Sequence, residues 1–394
     1  MTPTAPVVEL SLDEMTQDPY PVWERLRAEA PIAYVPTLDR YLVTRYRDIV
    51  ELEKTPEVFS SREEGSLLTR VVGANLLRED GAAHQRIRRS VEPPTRPRQV
   101  RDHLAEKFAV NCAILLEQLE PQGRADLIAD FAEPLVEMNL AALLGLSDVP
   151  PSTMSGWSSS MMAGNGNYAD DPAVWQRASA ATAEIDEYVR VAVEHVRSKP
   201  DGSIISAMVH AEDPLRLDEV QNNVKVIIGG GINEPRHVFG TGGWKVLTDP
   251  ALRARLAEDP SIWRKVFEES ARWLSPIGLY PRQVLSDYDI AGVTLPAGSH
   301  VALVIGSGNR DSEVIENADA FDIDRAPAPH LAFGGGPHFC MGAWVARHEI
   351  SALAWPEVFQ QLQGLRLATG FEPEIRGWVF RGLTSLLVEW DPKG

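Results

Sequence analysis

The sequence predicts a mainly α, α+β fold, formed as one large domain over residues 1–394. Three observations predict it. Helical patterns follow one another from about residue 82 to 275, with Pro and Gly at most of their boundaries. Strand-like alternation is confined to about 30–45, 280–305 and 383–390. No Gly/Ser-rich linker, charge block or repeat cuts the chain, and 44% hydrophobic residues suffice for a large core.

Taken in chain order, Asp18-Pro19-Tyr20-Pro21 punctuates the start, and 22–30 reads as a short helix. Segments 32–34 and 41–44 alternate like strands joined by a turn at 36–39. Residues 60–80 read as an irregular loop. Helices are expected over about 82–92, 98–119, 131–145, 152–162, 172–198, 218–247 and 261–274. After Pro276 the pattern changes to short strands at 282–284, 293–295 and 301–305. A long coil, 309–339, leads to a last helix from Met341, which Pro356 is expected to bend or end early. Alternation over 383–390 reads as a terminal hairpin.

The chain carries 56 acidic and 38 basic residues, a formal charge of −18. That argues against nucleic acid as a partner and favours solubility. Arg86, Arg88, Arg89, Arg96, Arg98 and Arg101 run against the trend. They read either as a solvated helix face with its loop, or as a docking patch for an acidic partner or for the carboxylates of a ligand. Two cysteines, Cys112 and Cys340, exclude a disulfide framework and fit a reducing cytoplasm. No leader pattern and no apolar run long enough for a membrane span is present; the longest candidate, 224–232, is short and ends in glycines.

The most informative stretch is Phe333-Gly334-Gly335-Gly336-Pro337-His338-Phe339-Cys340-Met341-Gly342. Three glycines and a proline make a tight loop whose backbone can approach a flat ligand closely. The loop delivers one cysteine to an expected helix start, where free N–H groups and the helix dipole favour a thiolate. A lone thiolate suits haem iron; zinc requires further Cys or His ligands, which this loop lacks. The loop matches Phe-Gly-x-Gly-x-His-x-Cys-x-Gly at every fixed position. On that match the chain resembles the cytochrome P450 family from about residue 13 to 390, with Cys340 implied as the axial ligand of haem b.

The resemblance assigns further residues. Glu269 and Arg272 lie three apart on one helical face and correspond to the family's buried Glu-x-x-Arg pair. Arg325 corresponds to the coil arginine that closes a structural network with them. His84 and Arg88, four apart, correspond to haem propionate ligands, joined by Arg282, His330 and His338. Phe333, Gly334 and Gly342 belong to the loop that cradles the haem. Cys112 reads as a small buried helical residue.

The helix expected over the haem departs from the pattern. Most of the family carries Ala/Gly-Gly-x-Asp/Glu-Thr there, and this chain has Gly230-Gly231-Ile232-Asn233-Glu234-Pro235-Arg236-His237. Asn233 takes the acid's place and Glu234 the threonine's. Pro235 lacks an N–H and is expected to kink the helix there. Glu234 suits acid–base use of hydrogen peroxide, taking a proton from one oxygen and returning it to the other. The plain alternative is that Glu234 swings away to pair with Arg236 or His237. The Gly-x-Asn/Gln-Glu-Pro pattern resembles the small bacterial group that O-demethylates lignin-derived methoxyphenols such as guaiacol and syringol.

Regions that line the family's substrate pocket offer Leu67, Leu68, Trp157, Met161, Met162, Tyr168, Ile232, Ile277, Leu279 and Phe380. Together they imply an apolar pocket for a small aromatic substrate, though each alone reads equally as core. The expected activity is therefore oxygenation with O2 or H2O2, most specifically aryl ether O-demethylation. The competing reading is a monooxygenase for another small apolar molecule, fed by a separate ferredoxin or flavin reductase. Action on a carrier-bound intermediate and a non-catalytic haem sensor are the remaining readings.

Overall fold

The computed structural model describes residues 5–167, 169–326 and 329–392. The chain divides into two compact units, each assembled from three separated segments. One contains Met1–Glu64, His237–Cys340 and Thr369–Leu386 and carries most of the strands. The other contains Gly65–Arg236, Met341–Ala368 and Leu387–Gly394 and is mostly helical.

The strand-bearing unit is built on a five-stranded sheet in the order Ile32–Val35, Arg40–Val43, His300–Leu303, Tyr280–Val284, Phe59–Ser60. Only the second and third of these run parallel. Period-2 alternation decides which side chains go where. Ile32, Val43, Val301 and Leu303 enter a core with Ile49 and Val284. Ala33, Val35, Leu42 and Ala302 enter a second core with Trp23 and Leu26. Asp39, in the left-handed region at φ 49°, closes the turn between the first two strands.

The helical unit packs Ala105–Leu119, Glu133–Leu144, Pro151–Asn165, Pro172–Ser198 and Leu217–Gly231 around Phe108, Val136, Met154, Ile185, Val189 and Val224. The spacing of Ile185, Val189, Val193 and Val196 is that of one apolar stripe, and all four are buried. Among the described residues no helix is long and apolar enough to cross a membrane.

The structure corrects the sequence reading in four places. The expected loop at 60–80 contains a helix, Leu67–Val72, capped by Ser66 and closed by Gly73 at φ 86°. Six residues are too few to register as a period. The expected helix 218–247 is two helices, Leu217–Gly231 and Asn233–Thr248, and the break falls at Ile232 rather than at Pro235. Three consecutive glycines end the first helix, whereas Pro235 sits in the first turn of the second, where no N–H is required.

The last helix starts at Ala343 rather than Met341, because Met341-Gly342 form a turn. It continues through Pro356 instead of ending early. The wide π-helical stretch His348–Ala354 comes first, and Pro356 is the second residue of the α-helix Trp355–Gln361. The expected terminal hairpin does not form: Gly382–Leu383 pairs with Ile375–Arg376, while Leu387–Glu389 joins Arg124–Asp126 and Arg366–Leu367.

Candidate active site

The cysteine loop is held largely by its own backbone. The Gly334 N–H donates to the Leu331 carbonyl at 2.8 Å, and the Cys340 N–H to the Phe333 carbonyl at 2.8 Å. Gly334 (φ 65°) and Gly336 (φ 59°) occupy the left-handed region, which explains two of the three loop glycines. Phe333 stacks on Phe267, with centroids 6.2 Å apart, and meets Phe339 at 6.4 Å and His330 at 5.7 Å. Cys340 is exposed. Because the following helix starts only at Ala343, with Gly342 as its capping residue, the cysteine precedes the helix rather than opening it.

The donor set fits haem. Burial, reinforced by Glu357 and Glu349, pushes the Cys112 thiol up to about 12, so it stays protonated. Cys340 is the accessible sulfur. No cluster of three or more His, Cys, Asp or Glu able to hold a bare metal ion occurs among the described residues. A single thiolate on a Gly-rich loop suits a metal that arrives within a macrocycle.

Behind this loop Glu269 and Arg272 form a buried, two-pronged ion pair, Nε–Oε2 2.8 Å and Nη2–Oε1 2.7 Å. Arg272 also donates to the carbonyls of Asn309, Ala318 and Ala320 at 2.7–2.9 Å. Arg325 reaches Glu269 Oε1 at 3.4 Å, and the Asp322 N–H donates to the same oxygen at 2.7 Å. The pair thus ties helix Trp263–Leu274 to the coil ahead of the cysteine loop.

One residue here escaped the sequence reading. Glu53 ends the helix Tyr46–Glu53 and is buried. Its Oε1 accepts from the Gly335 N–H at 2.9 Å and from the Tyr280 hydroxyl. Burial raises its carboxyl to about 6, while the Arg282 guanidinium and the Gly335 N–H oppose the rise. A lone glutamate 282 residues from its partner gives no sequence signal.

The expected propionate ligands are distributed over both units. On helix Gly81–Val91, His84 is buried, and Arg88 Nε pairs with Glu92 at 2.7 Å. In the strand-bearing unit, His330 Nε2 lies 3.1 Å from Glu268, Arg282 Nη1 donates to the Pro281 carbonyl at 2.8 Å, and His338 sits half-buried in the loop. The arginine cluster does not form a bare basic patch. Arg86 pairs with Glu219, Arg96 and Arg88 face Glu92, and Arg98 and Arg101 share Asp102. Acidic residues one to four positions away on the same helices supply most of that neutralisation.

The segment after the glycines presents different chemistry. Arg236 Nη2 donates to Asn233 Oδ1 at 2.7 Å, and its Nη1 meets Glu133 Oε2 at 2.7 Å. The Ser155 hydroxyl donates to the other Glu133 oxygen at 3.1 Å. The Arg236 guanidinium is therefore hydrogen-bonded to Asn233 and paired with Glu133. Glu234 Oε2 is buried with no hydrogen-bond partner among the described residues. Burial raises its carboxyl to about 7, opposed by its own backbone N–H and by Arg236. Beside Gly230 a Cβ would meet nothing within 4 Å, so there is open space at that glycine next to the helix break. Glu133 and the buried Glu137, whose carboxyl burial lifts to about 7, are further acids here that the sequence reading missed.

The proposed pocket residues behave unequally. Leu67, Leu68 and Met162 are half-buried, and the Met162 sulfur lies 3.9 Å from a Cβ placed on Gly229. Trp157, Met161 and Ile232 enter the core of the helical unit, and the Trp157 N–H is spent on Glu184 at 2.9 Å. In the strand-bearing unit Ile277 bridges Phe380, which is exposed, while Leu279 joins the core. Tyr168 lies outside the described residues.

Comparison with known proteins agrees with this geometry. The family model "Cytochrome P450" matches residues 261–356. The chain is 28% identical to the vitamin D(3) 25-hydroxylase of Pseudonocardia autotrophica, over 96% of this chain and 95% of that protein. It is 29% identical to the mycinamicin IV hydroxylase/epoxidase of Micromonospora griseorubida, over 89% and 90%. Among solved structures, P450BioI in complex with a hexadec-9Z-enoic acid-ligated acyl carrier protein superposes with a TM-score of 0.86 at 26% identity, covering 95% of this chain and 99% of that one.

Proposed function

This chain belongs to the cytochrome P450 family, whose cofactor is haem b held by a cysteine thiolate, and from that premise we propose that it O-demethylates a small methoxylated aromatic of the guaiacol or syringol type, with hydrogen peroxide able to serve as oxidant. The haem, when bound, supplies oxygen insertion into a C–H bond. The balance is ArOCH3 + H2O2 → ArOCH2OH + H2O, after which the hemiacetal collapses to ArOH and formaldehyde. Cys340 would hold the iron; Arg282, His330 and His338 of the strand-bearing unit and His84 and Arg88 of the helical unit are the cations and imidazoles whose chemistry suits its propionates.

The carrying observation is the buried Glu234 Oε2, which has no hydrogen-bond partner among the described residues, on a carboxyl whose pKa burial raises to about 7. A group titrating near neutrality is matched to taking a proton from one peroxide oxygen and delivering it to the other. Asn233, its carbonyl occupied by Arg236, has its amide N–H groups left to donate. The helix break at Ile232 and the open space beside Gly230 leave room for a small oxidant. In the helical unit Leu67, Leu68 and Met162 are half-buried apolar side chains, and in the strand-bearing unit Ile277 is half-buried and Phe380 exposed; apolar side chains of this kind suit an aromatic ring.

The test is to mix the purified haem protein with syringol or guaiacol and peroxide. A spin-state shift on titration and one formaldehyde per phenol released are expected. Neither signal with any methoxyphenol or methoxybenzoate ends the reading. A second reading follows from the relatives, named as a 25-hydroxylase and a hydroxylase/epoxidase: a monooxygenase fed electrons by a separate ferredoxin or flavin reductase. Turnover with reduced ferredoxin but none with peroxide selects it.

A further inference from the structure

The strand-bearing unit places the end of one short helix against the middle of the cysteine loop. Glu53, 6% exposed, is the last residue of helix Tyr46–Glu53. Its Oε1 takes the Gly335 N–H at 2.9 Å and the Tyr280 hydroxyl. The Arg282 guanidinium lies 4.8 Å from the Tyr280 ring centroid and attracts the same carboxylate.

Space is shared as tightly as charge. A Cβ at Gly335 would lie 2.5 Å from Glu53 Oε2, and one at Gly336 would lie 2.5 Å from the Glu53 carbonyl. Gly336 is explained by its φ of 59°, but no positive φ is found at Gly335. Gly335 also occupies a variable position of the loop pattern. Its lack of a side chain is explained by the carboxylate that fills the space.

We propose that Glu53 is a positioning residue for the cysteine ligand: it pins the loop at Gly335 and replaces the side chain that position lacks. The loop is bonded to itself at both flanks, Gly334 to Leu331 and Cys340 to Phe333. At Gly335 its middle is anchored to another part of the unit by the Glu53 carboxylate. Freeing the Gly335 N–H leaves a part-buried donor without an acceptor and lets the arc carrying Cys340 shift. Glu53 touches neither iron nor substrate and acts through the loop. The inference stands on the family's thiolate ligation and is independent of the demethylase reading.

The experiment uses haem-loaded protein and reads the carbon monoxide complex of the ferrous form. Thiolate ligation gives the band at about 450 nm, and its loss gives the shorter-wavelength band of haem without a thiolate. Glu53→Ala is expected to speed thermal loss of the thiolate band by about tenfold or more. Glu53→Gln keeps an acceptor for Gly335 and is expected to restore most of the difference. Gly335→Ala is expected to damage the band in the native background. Glu53→Asp, which shortens the clashing side chain, is expected to rescue it.

A folded Glu53→Ala protein that loses the band within twofold of the native rate overturns the proposal. Should Glu53→Ala not fold, the Gly335→Ala pair decides. Equal damage from Gly335→Ala with Glu53 or with Asp at 53 means that the side chain and the loop are not coupled, which also overturns it.

Discussion

The cysteine loop and the 233–236 segment solve opposite problems. The loop fixes one atom, and it does so with backbone: glycines at φ 65° and 59°, two 2.8 Å amide bonds at its flanks, and a buried Glu269–Arg272 pair holding the coil ahead of it. The 233–236 segment fixes side chains through other side chains, Asn233 through Arg236 and Arg236 through Glu133. It leaves Glu234 Oε2 buried and without a hydrogen-bond partner among the described residues. A metal ligand needs rigidity, which backbone supplies cheaply. An acid–base group needs a displaced pKa, which a partner would cancel.

The comparison breaks first at the sulfur. Cys340→Ser is expected to abolish the band at about 450 nm in the carbon monoxide complex. Cys112→Ser, at a buried helical thiol, is expected to leave it unchanged. An unchanged spectrum in the Cys340 variant would remove the ligand and the rest of the argument with it.

The next effect separates the two regions. Glu234→Gln preserves shape and removes the titrating proton. Peroxide-driven turnover should fall roughly 10²–10⁴-fold, while the carbon monoxide spectrum stays native. The pH profile sharpens the result. With a pKa near 7, the carboxylate that accepts the peroxide proton is lost as pH falls below 7. Native activity should decline on that limb, and the glutamine variant should be flat there. A spectral change in this variant would mean that the two regions are not separable.

A third effect concerns stability. Glu349, buried on the π-helical stretch His348–Ala354, accepts from Asn139 Nδ2 at 2.7 Å, and burial raises it from 4.5 to about 7. The folded state then keeps a proton that the unfolded chain releases. Stability is therefore fullest below pH 4.5 for this group and falls as pH rises through 7. Glu349→Gln should remove up to about 3 kcal/mol of that dependence. Urea midpoints at pH 5 and pH 8 measure it, and equal slopes in both proteins would place the proton elsewhere.

What the sequence made legible follows the same division. The cysteine loop was readable because backbone constraint leaves glycine and proline in fixed places, and Glu269–Arg272 because three residues on a helix share a face. The P450 fold and the haem followed from those positions and are supported by structures of the same fold. Glu53, Glu133 and Glu137 were not readable, because their partners lie on other elements and leave no spacing. The helix Leu67–Val72 was too short for periodicity, and the last alternating segment, although rightly extended, pairs in two different sheets.

The smallest effect tests which residue breaks the helix over residues 217–248. Proline was the expected cause, yet the break precedes it at Ile232, after Gly229-Gly230-Gly231. In a first turn the missing N–H costs nothing, so Pro235→Ala should change stability by less than about 1 kcal/mol, mostly through the unfolded chain. The Glu234 titration should stay near 7, because the burial that raises it is set by the packed helices. Gly231→Ala should do more. Its Cβ would come within 3.1 Å of two Leu140 methyl carbons in a packed core. If the proline variant instead moves the peroxide pH profile and the glycine variant does not, Pro235 rather than the glycines sets the geometry of this segment.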